Sequence, residues 1–244
     1  MAGLEKNLDV HWFGQKTLFF CGPAVAQMFL DYVKVTATQE DLWTDIKSKS
    51  GGTRPADAPK SDHAFPEQVC DTCDPASTDP DRWLCWDTTP EALSATVAGR
   101  GNVALGARYA ATFVPGVEML IDSLDLTPDA PAFATTYLFN HWILVTGYIR
   151  DDFASTTAPI MTVGRYNLNG FYIRDPFDRE GVDHVRFVPA GAWQQQFGLV
   201  ACGPHIDTYP IVIRTVAMAA WVRFVLIVVL ALSAFWLWSL YVGN

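Results

Sequence analysis

Phe13-Gly14-Gln15-Lys16-Thr17-Leu18-Phe19-Phe20-Cys21-Gly22-Pro23-Ala24, with the apolar run to Val33 behind it, decides how the rest of the chain is read. From Pro23 to Lys34 the polar residues are Gln27, Asp31 and Lys34, four and three positions apart, so a helix here shows one polar face and buries the others. Pro23 suits the first turn of that helix, where a missing N–H costs nothing and a fixed φ is already helical. Cys21 therefore sits at the mouth of a buried helix, where N–H groups and the helix dipole favour a thiolate. A cysteine is more often a small inert hydrophobe than a nucleophile, so this placement needs company before it means catalysis.

The company comes from three further places. Gln15, six positions upstream, can put an amide donor beside the backbone N–H of Cys21, and two such donors make an oxyanion hole. Asn140-His141-Trp142-Ile143-Leu144-Val145-Thr146-Gly147-Tyr148 sets a histidine at the head of an apolar strand. Gly170-Phe171-Tyr172-Ile173-Arg174-Asp175-Pro176 ends a second strand with a carboxylate. Nucleophile, base and orienting carboxylate are the parts of a triad carried over to a thiol. Taken singly each has a plainer meaning: His141 as a satisfied core histidine, Asp175-Pro176 as a turn opener, Gln15 as a loop cap.

In this order, Gln15, Cys21-Gly22-Pro23-Ala24, His141-Trp142 with Val145-Thr146-Gly147-Tyr148, and Asp175-Pro176, the chain resembles the papain-like cysteine peptidases. The branch it resembles most is that of the bacteriocin-processing, double-glycine peptidases and their stand-alone relatives. The resemblance covers about residues 10–200. It implies Cys21 as nucleophile, His141 as general base and acid, Asp175 as the orienting residue and Gln15 as oxyanion donor, with no cofactor. It also implies an α+β, papain-like fold, with the catalytic helix packed on an antiparallel sheet.

Composition is consistent with that class. Half of the residues are hydrophobic and the formal net charge is -9, so a sizeable core is available and nucleic acid is an unfavourable partner. Much of the apolar content is at the end: residues 224–242 carry no charge and as a helix would be roughly 28 Å long, close to the hydrocarbon thickness of a bilayer. Trp236, Trp238 and Tyr241 cluster towards one end of that run, as interfacial aromatics do. The expectation is a catalytic domain over residues 1–210 and a single transmembrane anchor over 211–244. Arg214 and Arg223 before the span place the domain on the cytoplasmic side, and Glu5, Lys6 and Asp9 rule against a signal peptide at the start. An anchored enzyme meets membrane-bound substrates at raised effective concentration, so the expected partner is a membrane-associated protein or peptide.

The stretch 51–87 is rich in Pro, Asp and Ser, and loops of such length are usually functional or disordered. His63, Cys70, Cys73 and Cys85 offer a Cys-x-x-Cys and two further candidate zinc ligands, but a disulfide or free thiols fit the irregular spacing as well. Five cysteines in all is an odd number for a fully bridged domain. Elsewhere, Thr38-Gln39-Glu40-Asp41 caps a helix running to about Lys49, Thr89-Pro90-Glu91 opens another, and Pro115–Leu124 has helical periodicity. Strands are expected at 133–139, 141–149, 160–163, 171–174 and 184–188. Gln196 and Cys202-Gly203-Pro204 repeat the first motif's spacing, but Pro210 and the span follow before a base and a carboxylate could arrive on separate strands, so Cys202 is set aside.

Three functions remain open on sequence. One is peptide hydrolysis through a thioester, and the second is acyl transfer or amide hydrolysis by the same residues. The third is a silent papain-like module that binds a protein partner, in which thiol, imidazole and carboxylate need not converge.

Overall fold

In the computed structural model, residues 4–17, 20–49, 88–126, 128–136, 141–151, 160–178, 184–196 and 209–215 are described. The sheet is organised on strand β4 (His141–Arg150), whose residues from Trp142 to Ile149 are all buried. A strand buried along both faces must be covered on both, which is why its sequence runs as a continuous apolar stretch and does not alternate. β3 (Ala132–Thr136) lies antiparallel on one side of β4, with Phe133 opposite Leu144, and β6 (Tyr166–Arg174) on the other, with Leu144 opposite Arg174. Outward from β6 come β5 (Met161–Val163) and β7 (Arg186–Pro189), and outward from β3 come β8 (Tyr209–Arg214) and then β2 (Leu105–Ala110). All pairings are antiparallel.

The first strand, β1 (Leu4–Asn7), pairs with the far half of β4, placing Lys6 opposite Tyr148 and Asn7 opposite Gly147. Gly147 is needed there because a β-carbon would run into the Lys6 carbonyl, and backbone cannot swing aside as a side chain can. The pairing of β4 with β6 shifts register at this same point, between Val145 and Gly147.

Helix α1 (Cys21–Tyr32) packs on β4, with α2 (Gln39–Lys49) and α3 (Pro90–Gly101) against it. Its buried residues are Cys21–Ala26 and Met28–Leu30, leaving Gln27 and Asp31 on the partly exposed side as the spacing requires. Phe29 stacks on Phe133 of β3 at 5.2 Å between centroids, joining helix to sheet. The hydroxyl of Thr38 accepts the Asp41 N–H at the start of α2, and that of Thr89 accepts the Ala92 N–H at the start of α3, the cap geometry both sequences predict. α4 (Phe113–Leu124) begins two residues before Pro115 and buries Val117, Leu120, Ile121 and Leu124. A short helix, α5 (Ala190–Gln196), packs Trp193 against Phe171 of β6.

The architecture is thus mixed, with helices on an antiparallel sheet. Two strands, β1 and β2, lie in the half read as helical, and β8 runs through residue 210, where the domain was expected to end. The chain separates into two compact units at Arg214/Thr215. Among the described residues no helix is long and apolar enough to cross a membrane, and the expected span at 224–242 lies outside them, as do 51–87 and Cys202.

Candidate active site

Cys21 is the first residue of α1 and is 7% exposed. The residue before it, Phe20, supplies no side-chain cap, so nothing from the chain's own N-cap covers the first-turn N–H groups beside the sulfur. Gly22 is required by what lies over it: a β-carbon there would overlap the Thr88 hydroxyl, with Thr88 Cγ2 at 2.5 Å and Cβ at 2.7 Å. The Thr88 carbonyl in turn accepts the indole N–H of Trp142 at 3.0 Å. The cysteine's neighbour and the histidine's neighbour are thereby locked to one residue.

His141 opens β4, with its Nε2 2.6 Å from Asp175 Oδ1 and Cys21 as the second group that favours its protonated form. With Nε2 committed to the carboxylate, Nδ1 is the nitrogen left for the thiol. Burial works against a charged ring, yet the hydrogen bonds to Asp175 and Cys21, reinforced by their charges, outweigh it and raise the His141 pKa to about 10. The ring also meets the edge of Phe177, an exposed aromatic, at 6.3 Å between centroids.

Asp175 follows directly on β6, and the antiparallel register of Arg174 with Leu144 is what returns it to the head of β4. It is 4% exposed, and both carboxylate oxygens are occupied. Oδ1 accepts from His141 and from the Phe177 N–H at 2.9 Å, while Oδ2 accepts from Arg186 Nη2 at 3.3 Å. Burial pushes the carboxyl pKa up, but His141, the Phe177 N–H and the Arg186 charge together hold it below the ordinary carboxylate value. Burial and the charge of Asp175 push the neighbouring Asp178 the opposite way.

Gln15 lies on the lead-in to α1. Its Nε2 donates to the Thr17 carbonyl at 2.8 Å, which uses one of the two amide hydrogens, and Oε1 is buried without a partner. The backbone of this lead-in is stitched to the carboxylate's turn: the Gln15 N–H donates to the Pro176 carbonyl at 2.9 Å, and the Trp12 indole N–H to the Asp175 carbonyl at 2.8 Å. Trp12 is itself stacked on His184 at 3.7 Å.

The structure therefore joins His141 and Asp175 by a hydrogen bond, with Cys21 near enough to bear on the charge of the ring and Gln15 on a segment tied to the same turn. His63, Cys70, Cys73 and Cys85 fall outside the described residues, among which no group of His, Cys, Asp and Glu could hold a metal ion. Trp12, Thr88, Phe177 and Arg186 also touch the site and escaped the sequence reading, because none of them belongs to a motif.

No family model matches the chain, and neither does any curated protein. Among solved structures it is similar to a double glycine motif protease from an AMS/PCAT transporter in complex with the leader peptide, at 13% identity and a TM-score of 0.43. That match covers 87% of this chain and 99% of the other. It is also similar to a Bacillus anthracis protein described as a C39-like peptidase, at 14% identity and a TM-score of 0.45, covering 87% of this chain and 98% of that one.

Proposed function

We propose that the protein is a cysteine peptidase that cleaves peptide bonds through Cys21, His141 and Asp175, with Gln15 contributing to the oxyanion hole. One observation carries the reading: a largely covered imidazole 2.6 Å from a buried carboxylate held ionised, with a helix-start thiol as the second group that favours the protonated ring. A histidine serving only to satisfy the core would need one partner, and a silent module would have no reason to keep all three groups in line.

The raised His141 pKa keeps a proton on the ring at neutral pH, where it is ready for the leaving group. The sulfur attacks the peptide carbonyl carbon, and the C=O electrons move onto oxygen. That oxyanion lies at the start of α1, where the Cys21 N–H and the second hydrogen of the Gln15 amide are the donors. His141 gives its proton to the leaving amine as the C–N bond breaks, leaving a thioester on Cys21. Water, losing a proton to His141, then cleaves the thioester and restores the thiol. Asp175 holds the ring's orientation and tautomer throughout.

The uncharged run at 224–242 supports a tethered enzyme with a membrane-associated protein or peptide as substrate. The test is a digest of a peptide mixture by the full chain in detergent, read by mass spectrometry, beside labelling by a thiol-directed active-site probe. Cleavage and labelling that both vanish in Cys21→Ala while the fold persists are the expected result. Labelling or cleavage undiminished in that variant removes the assignment.

A further inference from the structure

Gln39, the first residue of α2, is a side chain with no exposed role: it is 2% exposed and its amide is fully used. Oε1 accepts the Lys16 N–H at 3.0 Å, and Nε2 donates to the Gly14 carbonyl at 2.8 Å and to Gln27 Oε1 at 3.0 Å. Gln27 Nε2 in turn donates to the Ala37 carbonyl at 3.0 Å. The orientation of both amides follows from the backbone, because a carbonyl can only accept and an N–H can only donate. Ala37 O fixes which end of Gln27 faces it, Gly14 O fixes the Nε2 end of Gln39, and Lys16 N–H fixes its Oε1 end.

Gly14 and Lys16 are the two neighbours of Gln15. With the Gln15 N–H held by the Pro176 carbonyl, three successive residues of a segment without regular secondary structure are pinned, two of them by one buried side chain. We infer that Gln39 is a positioning residue for the oxyanion hole: by gripping the backbone on both sides of Gln15 it fixes where the Gln15 amide sits relative to Cys21. The inference rests on the reading of Cys21 and Gln15 given above. It adds a residue that meets neither substrate nor sulfur and comes from a different helix.

Two reactions of the same thiol separate this role from simple structural support. Acylation by p-nitrophenyl acetate forms the S–C bond at a carbonyl, passes through an oxyanion and expels p-nitrophenolate. Alkylation by iodoacetamide forms an S–C bond at a saturated carbon and expels iodide, with no oxyanion at any stage. Both rates are measured on the full-length protein, with the rate of Cys21→Ser subtracted to remove the other cysteines. Gln15→Ala is expected to slow acylation about a hundredfold, the effect of losing one oxyanion donor, and Gln39→Leu about tenfold, since the donor remains but is no longer held. Alkylation is expected to stay within about twofold in both, because no donor acts on it. Gln27→Met leaves Gln39 in place but removes the acceptor that orients it, and gives the same sign at smaller size if Gln39→Leu does not fold. Parallel loss of both rates in the folded Gln39 and Gln27 variants, or loss of neither, overturns the inference while leaving the peptidase reading standing. Acylation unchanged in Gln15→Ala overturns the oxyanion assignment itself, and this inference with it.

Discussion

Replacing Asp175 with Asn tests the site at its most constrained point. The two oxygens of Asp175 face three donors: His141 Nε2 and the Phe177 N–H at Oδ1, and Arg186 Nη2 at Oδ2. An asparagine has only one oxygen to offer. With its oxygen at the Oδ1 position, its NH2 meets the Arg186 guanidinium, donor against donor. With the NH2 at Oδ1, it opposes the Phe177 N–H and forces His141 to accept at Nε2, moving the ring proton to the nitrogen that faces the thiol. Either way the imidazolium loses its charged partner. Lifting the His141 pKa from 6.5 to about 10 corresponds to a net gain of roughly 5 kcal/mol in favour of the protonated ring, left after burial has been overcome by Asp175 and Cys21. Without the Asp175 carboxylate the burial penalty is no longer offset, so the ring in Asp175→Asn should titrate lower by about one pH unit or more. The measurement is NMR of the His141 ring across pH 5 to 11 in wild type and variant, alongside peptide hydrolysis. Hydrolysis at neutral pH should fall about a hundredfold, less than in serine triads because sulfur is the better nucleophile. A His141 midpoint that stays within half a pH unit of wild type would refute the reasoning, since the carboxylate would then not be what holds the proton.

Two other outcomes are expected. Gly22→Ala should destabilise the fold by about 1–3 kcal/mol through overlap with Thr88, and Thr88→Gly in the same chain should return most of that loss; denaturant unfolding in which the two changes simply add would show that the contact is not the cause. The His141–Asp175 pair should also make stability depend on pH. The raised His141 contributes fully below its ordinary 6.5 and loses its contribution as pH rises through about 10, whereas the lowered Asp175 contributes above its ordinary 3.8 and loses it as pH falls further. The excess melting temperature of wild type over Asp175→Asn should thus be greatest between about pH 4 and 6.5 and shrink towards pH 10; an excess that grows from pH 7 to 9 would reverse the sign and sink the linkage.

What could be read from the sequence was whatever leaves a mark in local pattern. The polar stripe of Gln27 and Asp31, the apolar face of Val117, Leu120, Ile121 and Leu124, and the unbroken run from Trp142 to Ile149 each record burial in the residue types themselves. Cys21, His141 and Asp175 were legible because they begin or end such elements. β1 was not, since Leu4-Glu5-Lys6-Asn7 has no apolar alternation and owes its place to the room that Gly147 leaves on β4. β8 was missed because Pro210 reads as a breaker, and its partners β2 and β3 are brought to it by topology alone. Gln39 and Arg186 were invisible for a deeper reason. Gln39 acts on backbone groups of Gly14 and Lys16, which every residue carries, so the partner's identity gives no sign of the contact. Arg186 reaches its carboxylate from a neighbouring strand, at a separation that only the fold sets.

The same contacts explain how a segment with no regular structure can serve a site that needs fixed geometry. Residues 11–15 make neither helix nor strand, so no ladder of their own holds them. They are gripped from two directions: from α2 through Gln39, and from the turn after β6 through the carbonyls of Asp175 and Pro176. The helix side holds the backbone on either side of Gln15, and the sheet side ties Gln15 to the turn that carries the carboxylate bonded to His141. A displacement of the Asp175 turn would therefore disturb His141 and Gln15, the proposed base and oxyanion donor, together. For the proposed peptidase, such shared support would hold the donors in place before charge develops on the substrate, so that none of the reaction's stabilisation is spent on reorganising them.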